Sequence, residues 1–314
     1  MPTDGPTPRS QTVSVVVPTY GRLEDLRRVL AAVDAQDLPP GIGLEIVVVD
    51  DGSPDGTWGW LTRHWRRHPD RVAIRQVNAG PATARNCGVE AASGELILFL
   101  GDDTEPQGGW LLEHVETHRL FGAEGPLAVV GYTSFPDDVD SPFSRFINEF
   151  GAQFGYLLID APEDVPFNFF YTSNVSVPRR VLLERGGFRE DFPAAAWEDI
   201  EFAYRACADG LRLRYRPRAR TVHRHRVDPR TFCRRQRTSG HSAAIFGELH
   251  PELEDFLGVR LVRGGGAASR WRRLLAGLAV GIGEMVPGSV PSGVRRAFLD
   301  ACYHRGLAEG LHRG

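Results

Sequence analysis

The chain contains no lysine; all 37 of its basic residues are arginine. That absence excludes a lysine Schiff base and a lysine-bearing phosphate loop. Cysteine is scarce, with four in 314 residues: Cys87, Cys207, Cys233 and Cys302. None lies in a CxxC pair, which argues against a zinc site and a disulfide framework and suits a reducing cytoplasm. Net charge is only −3, so there is no overall electrostatic pull towards nucleic acid. Long apolar runs are missing too. The longest, residues 274–286, is too short to span a bilayer and contains Glu284. Residues 1–12 are polar and proline-rich with no apolar core, and read as a disordered lead-in, not a signal peptide. No GxGxxG occurs, so the dinucleotide fingerprint is lacking.

What is present is an ordinary globular composition, 42% hydrophobic and 25% charged, enough for one large domain or two small ones. The first half alternates. Apolar runs at 13–20, 44–50, 72–77 and 96–100 read as buried strands, and residues 23–35, 58–67 and 81–92 carry helical spacing. This order predicts an α/β fold with a mostly parallel, doubly wound sheet. After Trp110 the pattern loosens. Residues 132–171, rich in aromatics and proline, read as irregular loops with a short helix, material that shapes a substrate pocket. Residues 173–188 return to strand, turn and helix, and a helix starting near Trp197 is stopped by Gly210.

The chemistry gathers where strands should end. The run GELILFLGDDTEP drives an apolar strand into Asp102 and Asp103, a hard-oxygen pair suited to a divalent cation carrying phosphate. VSVVVPTYGR ends a strand in Pro18, Thr19, Tyr20 and Arg22, where Tyr20 can stack on a base and Arg22 can reach a phosphate. VVVDDGSPDGT places Asp50 and Asp51 at another strand end, suited to a base imide or a ribose hydroxyl; a plain turn would use the same residues. GPATARNCG puts Arg85 and Asn86 on a helix beside the sheet edge. Glu198 and Asp199 open the later helix, where acids also favour the helix dipole. In the arginine-rich stretch 212–237, the alternation of RLRYRPRAR reads as one exposed strand face. RRQRTSGHS is compatible with a diphosphate, an anionic membrane surface or plain solvent.

Taken together and in this order, PTYGR, VVDDGS, ARNCG, the aspartate pair, the Glu198–Asp199 helix start and a later histidine resemble the family 2 glycosyltransferases of the GT-A fold. The resemblance covers roughly residues 13–240. It implies that Pro18, Thr19, Tyr20, Arg22, Asp50, Asp51, Arg85 and Asp102 line the site of a nucleoside-diphosphate sugar, with UDP the expected nucleotide. It implies that Asp103 ligates Mg²⁺ or Mn²⁺, joined by His223 in preference to His225. It makes Asp199 the base for an inverting transfer, with Glu198 a supporting acid. The chain departs from the family pattern at Gly101, where many members carry a first aspartate, and at Gly21, where asparagine is usual.

The expected organisation is a lead-in at 1–12, a GT-A-like domain at 13–250 and a helical region at 251–314. The last could pack on the domain or a second subunit, or lie on a membrane interface. The expected protein is cytoplasmic or peripheral to a membrane, acts on a glycan, lipid-linked, peptide or small-molecule acceptor, and has no nucleic-acid partner. Two other classes stay open on sequence: a sugar nucleotidyltransferase, and an inactive nucleotide-binding scaffold.

Overall fold

The computed structural model describes residues 11–136, 141–149, 151–192, 194, 196–225, 227–264 and 292–312. The strands are β1 (Gln11–Thr19), β2 (Ile42–Asp50), β3 (Arg71–Arg75), β4 (Leu96–Leu100), β5 (Thr104–Pro106), β6 (Leu127–Ser134), β7 (Asn174–Pro178) and β8 (Arg212–His223). The helices are α1 (Leu23–Asp34), α2 (Thr57–Trp60), α3 (Pro81–Ala91), α4 (Trp110–Phe121), α5 (Pro142–Glu149), α6 (Arg179–Glu184), α7 (Glu198–Ala208), α8 (Pro229–Leu249), α9 (Val259–Arg263) and α10 (Ser292–Leu311). The chain divides into two compact units. The first comprises Met1–Pro136, Ile159–Arg189 and Phe202–Arg224; the second comprises Asp137–Leu158, Glu190–Glu201 and His225–Gly314.

All eight strands lie in the first unit and form one sheet, ordered β3-β2-β1-β4-β7-β6-β8-β5. The β1–β2, β1–β4, β2–β3 and β6–β8 pairs are parallel. β7 runs antiparallel to β4 and β6, and β5 antiparallel to β8. The architecture is therefore α/β, a mixed sheet flanked by helices, as the sequence led us to expect. The period-2 rule explains why β1 reads as a continuous apolar run. Val13, Val15 and Val17 pack with Leu26, Leu30 and Trp110 on one face, while Val16 packs with Val89, Phe99 and Val175 on the other. A strand covered on both faces sits at the centre, and its C-terminal end is fixed accordingly.

Two readings are corrected in the first unit. Residues 110–134 are more regular than the loosened pattern after Trp110 suggests, since they form α4 and β6. The helical period is weak in the sequence because the buried face includes His114 and Thr117 beside Trp110, Leu111 and Val115. The arginines of β8 do not form a single exposed face. The guanidinium of Arg214 lies 3.8 Å from the Phe121 ring centroid, Arg216 follows at 5.3 Å, and both pair with Glu163. Their guanidinium groups lie over one aromatic ring, as the ring's negative face favours.

In the second unit the reading against a disulfide is overturned. Cys233 of α8 and Cys302 of α10 are bonded, with Cα atoms 5.6 Å apart. A separation of 69 residues hid a contact that exists because the two helices lie side by side. The bond also removes the cysteine argument for a reducing compartment. A Cβ at Gly240 would run into the Tyr303 carbonyl, and one at Gly306 into that of Arg237, so glycine permits this close approach. Arg237, in the stretch read as facing a diphosphate, a membrane surface or solvent, is exposed and pairs with Glu309 at 2.6 Å. Among the described residues no helix is long and apolar enough to cross a membrane. The run at 274–286 and the lead-in up to residue 10 lie outside the described residues, as do residues 137–140 and 265–291.

Candidate functional site

The C-terminal ends of β1 and β4, parallel neighbours, bring two motifs together. Thr19 closes β1, and its Oγ1 donates to Asp102 Oδ2 at 2.8 Å. Arg22, in the non-helical position that starts α1, reaches the same place. Its Nη1 donates to Asp102 Oδ1 at 3.1 Å and also to Asp103 Oδ2. His223, the last residue of β8, comes from another strand, with Nε2 at 3.2 Å from Asp103 Oδ1. Its ring lies 5.6 Å from that of Phe135. Both aspartates are buried. Burial first, then the charge of Asp103, pushes the Asp102 carboxyl up to about 6, against the opposing pull of Arg22 and Thr19. Gly101 has a spatial reason: a Cβ there would stand 2.6 Å from Thr104 Oγ1.

Asp50 and Asp51 gather a second group at the end of β2. Asp51 accepts from Gln76 Nε2 and Ala79 N at 2.8 Å and from Gly80 N at 2.9 Å, so it shapes the loop leading into α3. Asp50 Oδ1 accepts from Ser53 N at 2.9 Å, and its Oδ2 lies 3.5 Å from Arg75 Nε. Ser53 Oγ in turn accepts from Gly21 N at 2.9 Å, which joins the β2 turn to the β1 turn. Pro18 lies within β1, and Tyr20 stands half exposed directly after it. Arg85 is buried, with its guanidinium 5.8 Å from the Phe188 ring centroid. Its neighbour Asn86 clamps the Phe188 backbone, accepting from N at 2.9 Å and donating to O at 2.8 Å.

Sequence reasoning missed a buried polar relay next to the aspartate strand. Asn174 pairs with Leu100, the residue before Gly101. Its Nδ2 donates to Ala219 O at 2.9 Å, which ties β7 to β8 two turns of the pleat before His223. Its Oδ1 accepts from Trp110 Nε1 at 2.8 Å and from His114 Nε2 at 3.0 Å. Assigning protons by these partners, neutral His114 accepts at Nδ1 from Ser176 Oγ at 2.9 Å, and Ser176 Oγ accepts from His118 Nε2 at 2.9 Å. Burial lowers His114 to about 4 and His118 to about 3, which keeps both neutral. The i, i+4 histidines on an otherwise apolar helix face were the available signal.

Glu198 and Asp199 belong to the second unit. They open α7, where Asp199 Oδ1 accepts from Ile200 N at 2.9 Å and Glu198 is buried. The preceding Trp197 is the one positive-φ residue other than glycine among the described residues, at 74°. One turn on, buried Glu201 meets His250 Nε2 at 3.0 Å. His225, set aside in favour of His223, is exposed and falls in the second unit.

The donor set at the β1–β4 edge is two carboxylates and an imidazole, the oxygen and nitrogen chemistry that Mg²⁺ or Mn²⁺ accepts. A guanidinium already bridges both acids, so the place accepts positive charge. Among the described residues no group of three or more His, Cys, Asp and Glu is spaced to hold a metal by itself. Further oxygens would have to come from a ligand, as is common for Mg²⁺ with phosphates.

Residues 14–182 match the profile described as glycosyl transferase family 2. The pre-mycofactocin glycosyltransferase of Mycobacterium tuberculosis (strain ATCC 25618 / H37Rv) is 28% identical over 299 residues, covering 90% of this chain and 56% of that protein. The validoxylamine A glucosyltransferase of Streptomyces hygroscopicus subsp. limoneus is 30% identical over 237 residues, covering 67% of this chain and 51% of its own length. The chain thus spans about half the length of these relatives. Among solved structures, the mannosyltransferase PcManGT from Pyrobaculum calidifontis, in complex with GDP-Man and Mn²⁺, matches with a TM-score of 0.62 at 22% identity. That match covers 96% of this chain and 86% of the other. S. aureus TarS 1-349 in complex with UDP-GlcNAc matches with a TM-score of 0.53 at 19% identity, covering 97% and 92%. At such identities these structures bear on the fold alone.

Proposed function

Because the chain belongs to glycosyltransferase family 2, we propose that it transfers a sugar from a nucleoside-diphosphate sugar, UDP-linked, to an acceptor hydroxyl with inversion at the anomeric carbon. The observation that carries this reading is the convergence of Thr19, Arg22, Asp102, Asp103 and His223 at one sheet edge. Parallel sheets bind ligands at that edge because the strand ends and the following turns leave a crevice there.

In this reading Asp103 and His223 hold Mg²⁺ or Mn²⁺, with Asp102 beside them. The bound cation supplies positive charge for the departing diphosphate, the part of the reaction that most needs electrostatic help. Asp51, by fixing residues 76–80, shapes the pocket for the base, and half-exposed Tyr20 offers a face to stack on it. Asp50 braces the same turn. Pro18 and Arg85 complete the wall of the site.

On the acceptor side, Asp199 takes the hydroxyl proton as the acceptor oxygen bonds to the anomeric carbon. The bond from that carbon to the phosphate oxygen breaks in the same step, and the nucleoside diphosphate leaves with the electron pair. Glu198, buried at the same helix start, supports the base. A cytoplasmic or membrane-peripheral setting and a glycan, lipid-linked, peptide or small-molecule acceptor remain part of this proposal.

The test is a screen of UDP- and GDP-sugars with Mg²⁺ or Mn²⁺, reading nucleoside diphosphate and pyrophosphate separately. Transfer releases the diphosphate. Pyrophosphate release would point to a nucleotidyltransferase, and no turnover with any donor to an inactive scaffold.

A further inference from the structure

Two carboxylates held side by side out of water repel each other and bear a desolvation cost, so the pair needs a positive partner. Asp102 and Asp103 expose only 10% and 11% of their side chains. One nitrogen, Arg22 Nη1, meets both, at 3.1 Å from Asp102 Oδ1 and in contact with Asp103 Oδ2. It therefore stands at the point a ligand shared by the two acids would occupy. Thr19 Oγ1 takes the other oxygen of Asp102, and His223 Nε2 the other oxygen of Asp103.

Arg22 is built differently from the acids it serves. Its side chain is 43% exposed, so the guanidinium can swing out without opening the core. It follows Gly21, at φ 65°, and its own backbone is outside the helical region, which places it on the turn between β1 and α1. A part-exposed side chain whose cationic tip meets both acids is a removable plug.

We propose that Arg22 is a resident counter-ion that neutralises the Asp102–Asp103 pair when no metal is bound, and that it must leave the pair for a divalent cation to enter. The proposal rests on the metal-dependent reading above and extends it to the order of loading. Without nucleotide, a cation competes with a tethered guanidinium and binds weakly. A diphosphate gives the displaced Arg22 a new anion, through the paired N–H donors that suit phosphate. Cation and nucleotide then help each other bind, and that coupling must be reciprocal. Cation binding without a donor is thereby suppressed.

The experiment measures Mn²⁺ affinity by electron paramagnetic resonance and calorimetry, with and without UDP or GDP. It uses the wild type, Arg22→Gln, Arg22→Lys and Asp103→Asn, each checked for native melting. Without nucleotide, Arg22→Gln should bind Mn²⁺ about ten-fold more tightly, the scale of removing one nearby competing charge. Arg22→Lys, which keeps the charge, should stay close to wild type. The mutual enhancement between Mn²⁺ and nucleotide should shrink in Arg22→Gln. If Arg22→Gln binds bare Mn²⁺ no better than wild type, while Asp103→Asn loses it, the counter-ion role is wrong and the metal site stands. If Asp103→Asn binds Mn²⁺ as wild type does, or no form binds it even with nucleotide, the metal reading itself fails and the proposal with it.

Discussion

The indole N–H of Trp197 donates to the backbone carbonyl of Ser239 at 3.0 Å, and this bond holds a strained residue directly before Glu198 and Asp199. At φ 74° Trp197 sits where side chains with a Cβ are disfavoured. Its ring is enclosed by Phe246 of α8 at 5.9 Å, Phe256 at 6.0 Å and Tyr303 of α10 at 6.4 Å between centroids. Side-chain packing thus imposes the turn from which α7 starts.

Separating packing from strain gives the first prediction. Trp197→Ala loses the enclosure but keeps the left-handed cost, and should destabilise by roughly 2 kcal/mol or more, the range for truncating a packed aromatic. Trp197→Gly loses the same contacts while accepting the backbone freely. It should be more stable than the alanine variant by about 1 kcal/mol, the usual difference at a positive-φ site. Urea unfolding of both variants decides it. Equal midpoints would mean that the backbone at 197 carries no strain.

The C-terminal helix is held by the bond between Cys233 and Cys302. Thiol titration of the unfolded, unreduced protein should find two of the four cysteines free, Cys87 and Cys207. Replacing Cys233 and Cys302 together by serine should cost roughly 2–4 kcal/mol, the range for removing a long native cross-link. Hydrogen exchange should quicken in α8 and α10 while the strands of the first unit keep their protection. Four titratable thiols without reductant would remove the disulfide from the account.

The buried histidines make acid stability predictable. Native pKa values of about 4 for His114 and about 3 for His118 lie below the 6.5 of a free imidazole. As pH falls the unfolded chain takes up these protons first, so their contribution is complete above 6.5 and declines through the interval down to about 3. His118→Gln keeps a donor for Ser176 but cannot titrate, and should lower the slope of stability against pH below 6.5 by about one proton. Denaturant midpoints at pH 7 and pH 5 provide the check. An unchanged slope would show that His118 is protonated in the native state.

The central strands were legible because burial on both faces leaves a plain apolar run, as in Val15 to Val17 and Leu96 to Leu100, and because acids and glycines mark where each run stops. The same logic pointed to Asp102 and Asp103 in sequence, and the structure places Thr19, Arg22 and His223 around them. What stayed hidden was long-range or polar. Asn174 is a polar residue inside a buried strand, and its meaning depends on Trp110, His114 and Ala219, each at least 45 residues away. The 21 residues of α8 carry arginine and glutamine among small residues, so the face packed by Gly240, Ala243 and Ala244 has no strong apolar period. Arg22 was read as a phosphate ligand from its charge alone. Its engagement with both aspartates depends on the parallel pairing of β1 and β4, which no local pattern encodes.

The last prediction separates the two acids assigned to the reaction. Asp103 is buried against Arg22 and His223, where the donor's cation is proposed to sit. Asp103→Ala should therefore weaken Mn²⁺-dependent UDP binding and abolish transfer together. Asp199 opens α7 in the other unit and is proposed to meet only the acceptor proton. Asp199→Asn keeps the shape and the acceptor oxygen for the Ile200 N–H while removing basicity. It should leave UDP affinity near wild type and lower turnover by about 10²-fold or more, the scale of losing a positioned base. Calorimetry with UDP and Mn²⁺, beside transfer to an acceptor found in the donor screen, gives both readouts for both variants. Turnover of Asp199→Asn within a few-fold of wild type would reduce Asp199 to a helix-starting residue, and Glu198, buried at its side, would be tested next as the base.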